Sequence, residues 1–274
     1  MTNHIAFIGA GNMAGALIAG LIADGVPVER IIATDPAADK CEALRAAAGI
    51  RTLQDNRAAA AVADIVVLAV KPQIIREVAL ELAPQIQATR PLVISIAAGV
   101  RCDSLQAWLG GRVALVRTMP NTPAMIQSGA TVLYATPLVS DAQREQAESL
   151  MRAVGLTQWI DDELLMDAVT ALSGSGPAYY FLVMEAMEAA ACELGLPPQT
   201  AHLLTLQTAF GAARMALESS DPPQTLRARV TSPGGTTERA LQALEQGGLR
   251  DLFRRALEAA RDRSVELSTD IEGA

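Results

Sequence analysis

The chain has 274 residues, half of them hydrophobic, which is enough for a sizeable core and suits two domains. Its formal net charge of −8 argues against nucleic acid as the main partner, and no uninterrupted apolar run approaches the roughly 20 residues that span a bilayer. Cys41, Cys102 and Cys192 are odd in number and far apart, so they read as reduced thiols of a cytoplasmic protein, with no Cys/His cluster for a metal. The N-terminus lacks the basic leader of a secretory signal. Lysine is nearly absent: only Lys40 and Lys71 occur among 22 basic residues, which reads as genome composition bias.

Ile5–Ile8 is the first expected strand, and a glycine turn follows it: Gly9-Ala10-Gly11-Asn12-Met13-Ala14. Gly9 permits the tight turn, Gly11 permits close approach of the backbone to a pyrophosphate, and Ala14 is small where a third glycine often stands. A helix over Asn12–Asp24 then points its free N–H groups and positive dipole end at the phosphates. Between a strand and a helix this pattern predicts a dinucleotide site. Arg30–Thr34, Ile50–Leu53, Ile65–Val70, Leu92–Ile96, Val113–Thr118 and Gly129–Tyr134 read as further strands, with a helix over Ala38–Ala48. Such alternation implies βαβ units and a parallel sheet.

After about Asp161 the strand signals stop. Helices are expected over Leu164–Leu172, Ala178–Leu194, Pro198–Glu218 and Leu249–Leu267. The predicted fold class is α/β: an N-terminal Rossmann-type domain over 1–161 and an all-α domain over 162–274. The helix at Ala178–Leu194 is charged only at Glu185, Glu188 and Glu193. A helix that apolar must be covered on most sides, and a helical domain of about 110 residues has little with which to cover it. It is therefore expected at an oligomer interface.

Several loops fall where an open α/β sheet gathers ligands, at the carboxyl ends of its strands. Lys71-Pro72 closes the central strand, with Lys71 read as a positioning charge. Ser95-Ile96-Ala97-Ala98-Gly99 offers small residues to a flat ligand, and Met119-Pro120-Asn121-Thr122-Pro123 makes a rigid polar loop. In the helical part, Ser173-Gly174-Ser175-Gly176-Pro177 and Thr231-Ser232-Pro233-Gly234-Gly235-Thr236-Thr237 bring glycines, hydroxyls and free N–H groups to helix starts, a receptor for a small carboxylate. N-capping alone would use the same residue types. The only histidines, His4 and His202, lie in places unsuited to a nucleophile triad. Hydride transfer to an alcohol or ketone generally needs a proton carrier, whereas an imine is protonated before hydride arrives. Hydroxyls and amides therefore suit an imine better.

These segments, in this order over almost the whole chain, resemble the pyrroline-5-carboxylate reductase family; Ser232-Pro233-Gly234-Gly235-Thr236-Thr237 ahead of an Ala/Leu helix carries most of the specificity. The resemblance implies reduction of 1-pyrroline-5-carboxylate to L-proline with NADP(H) or NAD(H), and a helical domain that dimerises, with dimers often forming decamers. It implies that Ile8, Gly9, Ala10, Gly11, Asn12 and Met13, with Ala69, Val70, Lys71 and Pro72, hold the cofactor. Thr34, Asp35, Asn56, Ala97, Ala98, Gly99 and Asn121 join them, Asn56 near the adenosine ribose. Thr237 matches the threonine that contacts the substrate ring nitrogen and is the expected catalytic residue. Ser232, Gly234, Gly235 and Thr236 would bind the carboxylate, with Ser175, Gly176, Val230 and Thr231 beside them.

One departure matters. Many NADPH-using members carry an Asn/Ser-Arg pair after the second strand, and here the residues are Thr34-Asp35-Pro36. Asp35 suits a ribose 2′-hydroxyl and repels a 2′-phosphate, so NADH is expected to serve at least as readily as is typical of the family. Competing readings are a β-hydroxyacid or prephenate type dehydrogenase, which would need a catalytic Lys or His, and a silent nucleotide-sensing homologue.

Overall fold

The computed structural model describes residues 3–273. They form two compact units, one running to Ser175 and resuming at Ala260, the other covering Gly176–Ala259. The first unit is built on a sheet of β1 (Ile5–Ile8), β2 (Ile31–Thr34), β3 (Arg51–Leu53), β4 (Ile65–Leu68), β5 (Leu92–Ser95), β6 (Leu115–Met119), β7 (Gly129–Ala135) and β8 (Gly155–Trp159). The strand order is β3-β2-β1-β4-β5-β6-β7-β8, antiparallel only between β6 and β7. The order reverses at β1, where β2 pairs on one side and β4 on the other, so a crevice opens at the carboxyl ends of β1 and β4.

Helices α1 (Asn12–Ala23), α2 (Ala38–Ala48), α3 (Asn56–Ala60), α4 (Ile75–Thr89), α5 (Cys102–Trp108), α6 (Asp141–Arg152) and the short α7 (Met166–Val169) accompany the sheet. Two cores lie on its two faces. Ile5, Phe7, Ile65, Val67, Leu92 and Ile94 pack with Leu17 and Ile18 of α1 and Leu150 of α6. Ala6, Ile8, Val66, Leu68 and Val93 pack with Ile75 and Leu82 of α4 and Leu105 of α5. Alternate residues of each strand thus enter opposite cores. This is why β1, β4 and β5 read as nearly unbroken apolar runs rather than as alternating ones.

The structure departs from the sequence reading in places. Strand β8 had no apolar signal: its burial alternates, and it is held by parallel pairing with β7, Gly155 opposite Gly129. The helix expected over Leu164–Leu172 is broken into a 3-10 turn at Glu163–Leu165, α7 and a π-turn at Thr170–Gly174. Side-chain ties to the sheet unit fix that segment. Glu163 Oε1 accepts from Arg117 Nη1 and from the Cys102 N–H, both at 2.8 Å. Asn121 Nδ2 donates to the Ser173 carbonyl at 3.2 Å, and Ser264 Oγ donates to Asp167 Oδ1 at 2.7 Å. These bonds place residues 163–175 and the chain's last turns in the sheet unit, later than the division expected at 161/162. Burial, with Glu163 second, pushes the Cys102 thiol far above its ordinary range, so this cysteine stays protonated.

The second unit contains α8 (Gly176–Glu193), α9 (Pro198–Glu218), α10 (Pro223–Arg229), α11 (Thr236–Gln246) and the start of α12 (Leu249–Gly273). Helix α8 carries no charge but Glu185, Glu188 and Glu193, yet its apolar residues are exposed in the single chain: Tyr180 is 69% exposed, Phe181 63% and Leu182 65%. Burying such surface stabilises by about 25 cal/mol per Å², which is the drive for a second copy to cover it. Sedimentation at micromolar concentration is expected to show a dimer or larger species, and a stable monomer there would remove this reading of α8.

Candidate active site

The carboxyl edge of the sheet gathers the residues singled out for a cofactor. Gly9 stands at φ +109°, and a Cβ placed on it would come within 2.5 Å of the Ala69 carbonyl oxygen. Only glycine lets the exits of β1 and β4 close up this way. Gly11 is the N-cap of α1 and offers no side-chain cap, so the first N–H groups of the helix are left for another acceptor. A Cβ on Gly11 would meet nothing within 4 Å, which leaves open space over those N–H groups. Ala14 is fully buried against the sheet, as its place in the turn requires. A cavity of about 720 Å³ begins at Ala10, Gly11 and Asn12 and runs between α1 and α2. An uncapped helix start, an open glycine and a cavity beside them fit a dinucleotide pyrophosphate.

At the end of β2, Asp35 is nearly buried and both its oxygens are engaged. Oδ2 accepts the Ala10 N–H at 3.1 Å and Oδ1 accepts the Ala37 N–H at 3.0 Å. The Ala10 N–H therefore braces the turn internally. Thr34 Oγ1 donates to Asn56 Oδ1 at 2.6 Å, and Asn56 Nδ2 donates to Glu81 Oε2 at 3.1 Å. Asn56 opens α3 behind the Asp55 cap, and its bond to Thr34 brings it beside the end of β2. Across the crevice, Lys71 is exposed and N-caps the turn that Pro72 begins, directly after Ala69 and Val70. Ala97 is buried, while Gly99 takes φ +71° with its Cα turned to Leu267 of α12, a Cβ there reaching 3.4 Å. Ala98 lies between them, and the whole loop follows β5.

Asn121 holds its own loop in place. Its Oδ1 accepts the Ala130 N–H at 2.9 Å while Nδ2 serves Ser173, so both ends of the amide are spent on bracing the loop after β6 against the π-turn. Ser175 closes that turn, its N–H donating to the Thr170 carbonyl at 2.9 Å.

In the helical unit, Val230–Thr237 forms a loop opening α11. Gly235 is the N-cap and brings no side-chain cap, while Gly234 takes φ +72°. The Gly234 N–H already donates to Glu238 Oε2 at 2.8 Å, and the Gly235 N–H to the Ser232 carbonyl at 3.0 Å. The N–H groups of Thr236, Thr237 and Glu238 remain at the uncapped helix start. Among the described residues the Thr237 hydroxyl has no hydrogen-bond partner. Thr231 Oγ1 is spent on the Arg227 carbonyl at 2.6 Å, and Val230 is exposed. Gly176, buried, starts α8. His202 Nδ1 lies 3.0 Å from Glu188 Oε1, a satisfied surface histidine with no part in the site.

The first unit thus carries the residues expected to hold a cofactor, and the second carries the loop expected to take a carboxylate. Sequence reasoning missed Lys40, whose Nζ lies 3.5 Å from Asp35 Oδ2, and Glu238. The five-residue spacing Asp35 to Lys40 and the three-residue spacing Gly235 to Glu238, a helix-start pattern, were the signals available. Among the described residues no group of His, Cys, Asp and Glu is arranged to hold a metal, and no helix is long and apolar enough to cross a membrane.

Comparison with known proteins identifies the family. Residues 163–267 match the family model for pyrroline-5-carboxylate reductase dimerisation, and residues 4–99 match NADP oxidoreductase, coenzyme F420-dependent. The chain is 52% identical over 270 residues to the pyrroline-5-carboxylate reductase of Pseudomonas aeruginosa, covering 98% of each chain. The solved reductase of Coxiella burnetii is 51% identical at a TM-score of 0.94, covering 98% of this chain and 99% of its own. The Plasmodium falciparum enzyme, solved with NADP bound, is 29% identical at a TM-score of 0.86, with 97% and 98% covered. An uncapped glycine turn, a partnerless threonine over an open helix start and relatedness along nearly the full chain lead to one assignment: this chain belongs to the pyrroline-5-carboxylate reductase family.

Proposed function

We propose that this enzyme carries out the family's reduction of 1-pyrroline-5-carboxylate to L-proline with its substrate seated on the start of α11. The observation that carries the placement is the uncapped helix start beside the free Thr237 hydroxyl. The N–H groups of Thr236 and Thr237, with the Ser232 hydroxyl, take the substrate carboxylate; the dipole of α11 favours that charge. Gly234 and Gly235 shape the loop that Val230 and Thr231 lead into, and Ser175 and Gly176 join the substrate-binding residues on the family resemblance. Thr237 orients the ring nitrogen and steadies its proton.

Ile8–Met13 would hold the cofactor, with Thr34, Asp35 and Asn56 toward the adenosine ribose, and Ala69–Pro72, Ala97–Gly99 and Asn121 would complete its binding residues. When bound, the reduced nicotinamide supplies the hydride that the imine carbon accepts. The protein's part is placement, and well-oriented reactants can lower a barrier by roughly 7–11 kcal/mol. No protein group needs to donate a proton in the hydride step if the imine is already protonated. This is consistent with a helical unit that contains no lysine and a single histidine, which lies 3.0 Å from Glu188. On the family resemblance, in which dimers often assemble into decamers, a larger assembly of dimers and a cytoplasmic compartment are part of the proposal.

Oxidation of NADH and of NADPH followed spectrophotometrically with 1-pyrroline-5-carboxylate tests the reading. Turnover is expected with both cofactors, with kcat/KM for NADH at least equal to that for NADPH. A strong preference for NADPH would overturn the role given to Asp35.

A further inference from the structure

The chain keeps only two lysines, and both stand on the cofactor edge of the sheet: Lys71 after β4 and Lys40 in the first turn of α2. Composition bias explains why lysine is rare. It does not explain why both survivors fall just beyond the carboxyl ends of sheet strands. Lys40 is also badly placed as an ordinary helix residue, because a cation in the first turn opposes the helix dipole. Nearby anions offset this: Asp39 shares its turn. In this structure Asp35 does so in part, with Lys40 Nζ 3.5 Å from Oδ2, at the loose end of the ion-pair range. The Lys40 side chain is 55% exposed, and it lines the cavity that begins at Ala10 and Gly11. Asp35 itself is fixed by two backbone N–H groups and cannot turn away. Arg45, further along α2, is engaged by Thr52 through Nε and Nη2, and Arg57 Nε by the Glu81 carbonyl.

We infer that Lys40 is the specificity-determining residue for the cofactor, the group that lets an enzyme with an acidic residue at the ribose position still accept a 2′-phosphate. With a 2′-hydroxyl ribose, Lys40 stays paired to Asp35 and neutralises it. With a 2′-phosphate, the flexible ammonium leaves Asp35 for the stronger anion and screens the repulsion between the two. A compact, mobile point charge does this; a planar guanidinium locked in a bidentate pair would not. The inference rests on the proposal that Asp35 lies at the adenosine ribose.

The test is binding, read by isothermal titration calorimetry with 2′,5′-ADP and 5′-AMP as probes, beside kcat/KM for NADPH and NADH. Lys40→Gln is expected to lower the ratio of 2′,5′-ADP to 5′-AMP affinity at least tenfold, and the NADPH to NADH ratio of kcat/KM with it. Asp35→Asn is expected to raise both ratios. If Asp35→Asn raises them while Lys40→Gln leaves them within twofold, the ribose placement stands and the role of Lys40 is overturned. Should neither variant move the ratios, the ribose placement falls, and this inference with it. An equal loss for both probes in Lys40→Gln, with a lowered melting temperature, would make Lys40 a helix-stabilising residue and overturn the inference as well.

Discussion

Thr237→Ala is expected to lower kcat by about two orders of magnitude, near the loss of about 2.7–4 kcal/mol seen when one preorganised hydrogen-bonding group is removed from a transition state. The hydroxyl has no partner among the described residues, so its removal leaves nothing in the chain unsatisfied. Its residue sits at the start of α11, where alanine continues the helix as well as threonine does. The melting temperature is accordingly expected to stay close to that of the parent protein. Thr237→Ser restores a hydroxyl on the same backbone and is expected to recover most of the turnover. A near-normal kcat in Thr237→Ala would assign the ring nitrogen to some other group.

Arg117→Ala is expected to act on the fold instead, costing about 3–5 kcal/mol, as breaking one side of a buried ion pair does. The Arg117 side chain is only 5% exposed and Glu163 18%. Removing the guanidinium strands a carboxylate that also receives the Cys102 N–H. The pair therefore ties β6, the start of α5 and the segment after β8 at one point. Urea denaturation checks this: the midpoint is expected to fall by more than about 1 M, taking ordinary urea slopes. The double substitution Arg117→Met with Glu163→Leu is expected to regain much of the loss, because it removes both charges together. A single-variant loss below about 1 kcal/mol would mean that water reaches the pair and screens it.

The contrast between these two residues reflects what a sequence makes visible. Thr237 belongs to a run of hydroxyls and glycines whose backbone N–H groups declare a helix start, so its function is written locally. Arg117 sits in a strand between Val116 and Thr118, and its partner is 46 residues away; nothing nearby marks the pair. The same holds for the fold. Strands buried on both faces, such as β1 and β4, are legible as apolar runs, whereas β8 is held by its neighbour and reads as a polar loop. Helix α6 has only Ala147, Leu150 and Met151 buried, too narrow a stripe to stand out. Its capping box, Ser140 with Gln143, was the available mark. In the site, Gly9 was legible because a backbone conformation demands it. Lys40 was not, because its meaning depends on where Asp35 is pinned.

The last turns of α12 belong with the sheet rather than with the helical unit that precedes them in the chain. Ser264 completes a bond to Asp167, and Leu267 closes over Gly99, in the loop after β5. During synthesis, the sheet unit must therefore wait for α12 to leave the ribosome before its surface at Gly99 and Asp167 is covered. Its strands can pair early, but a nascent chain stopped short of α12 presents an unfinished sheet unit.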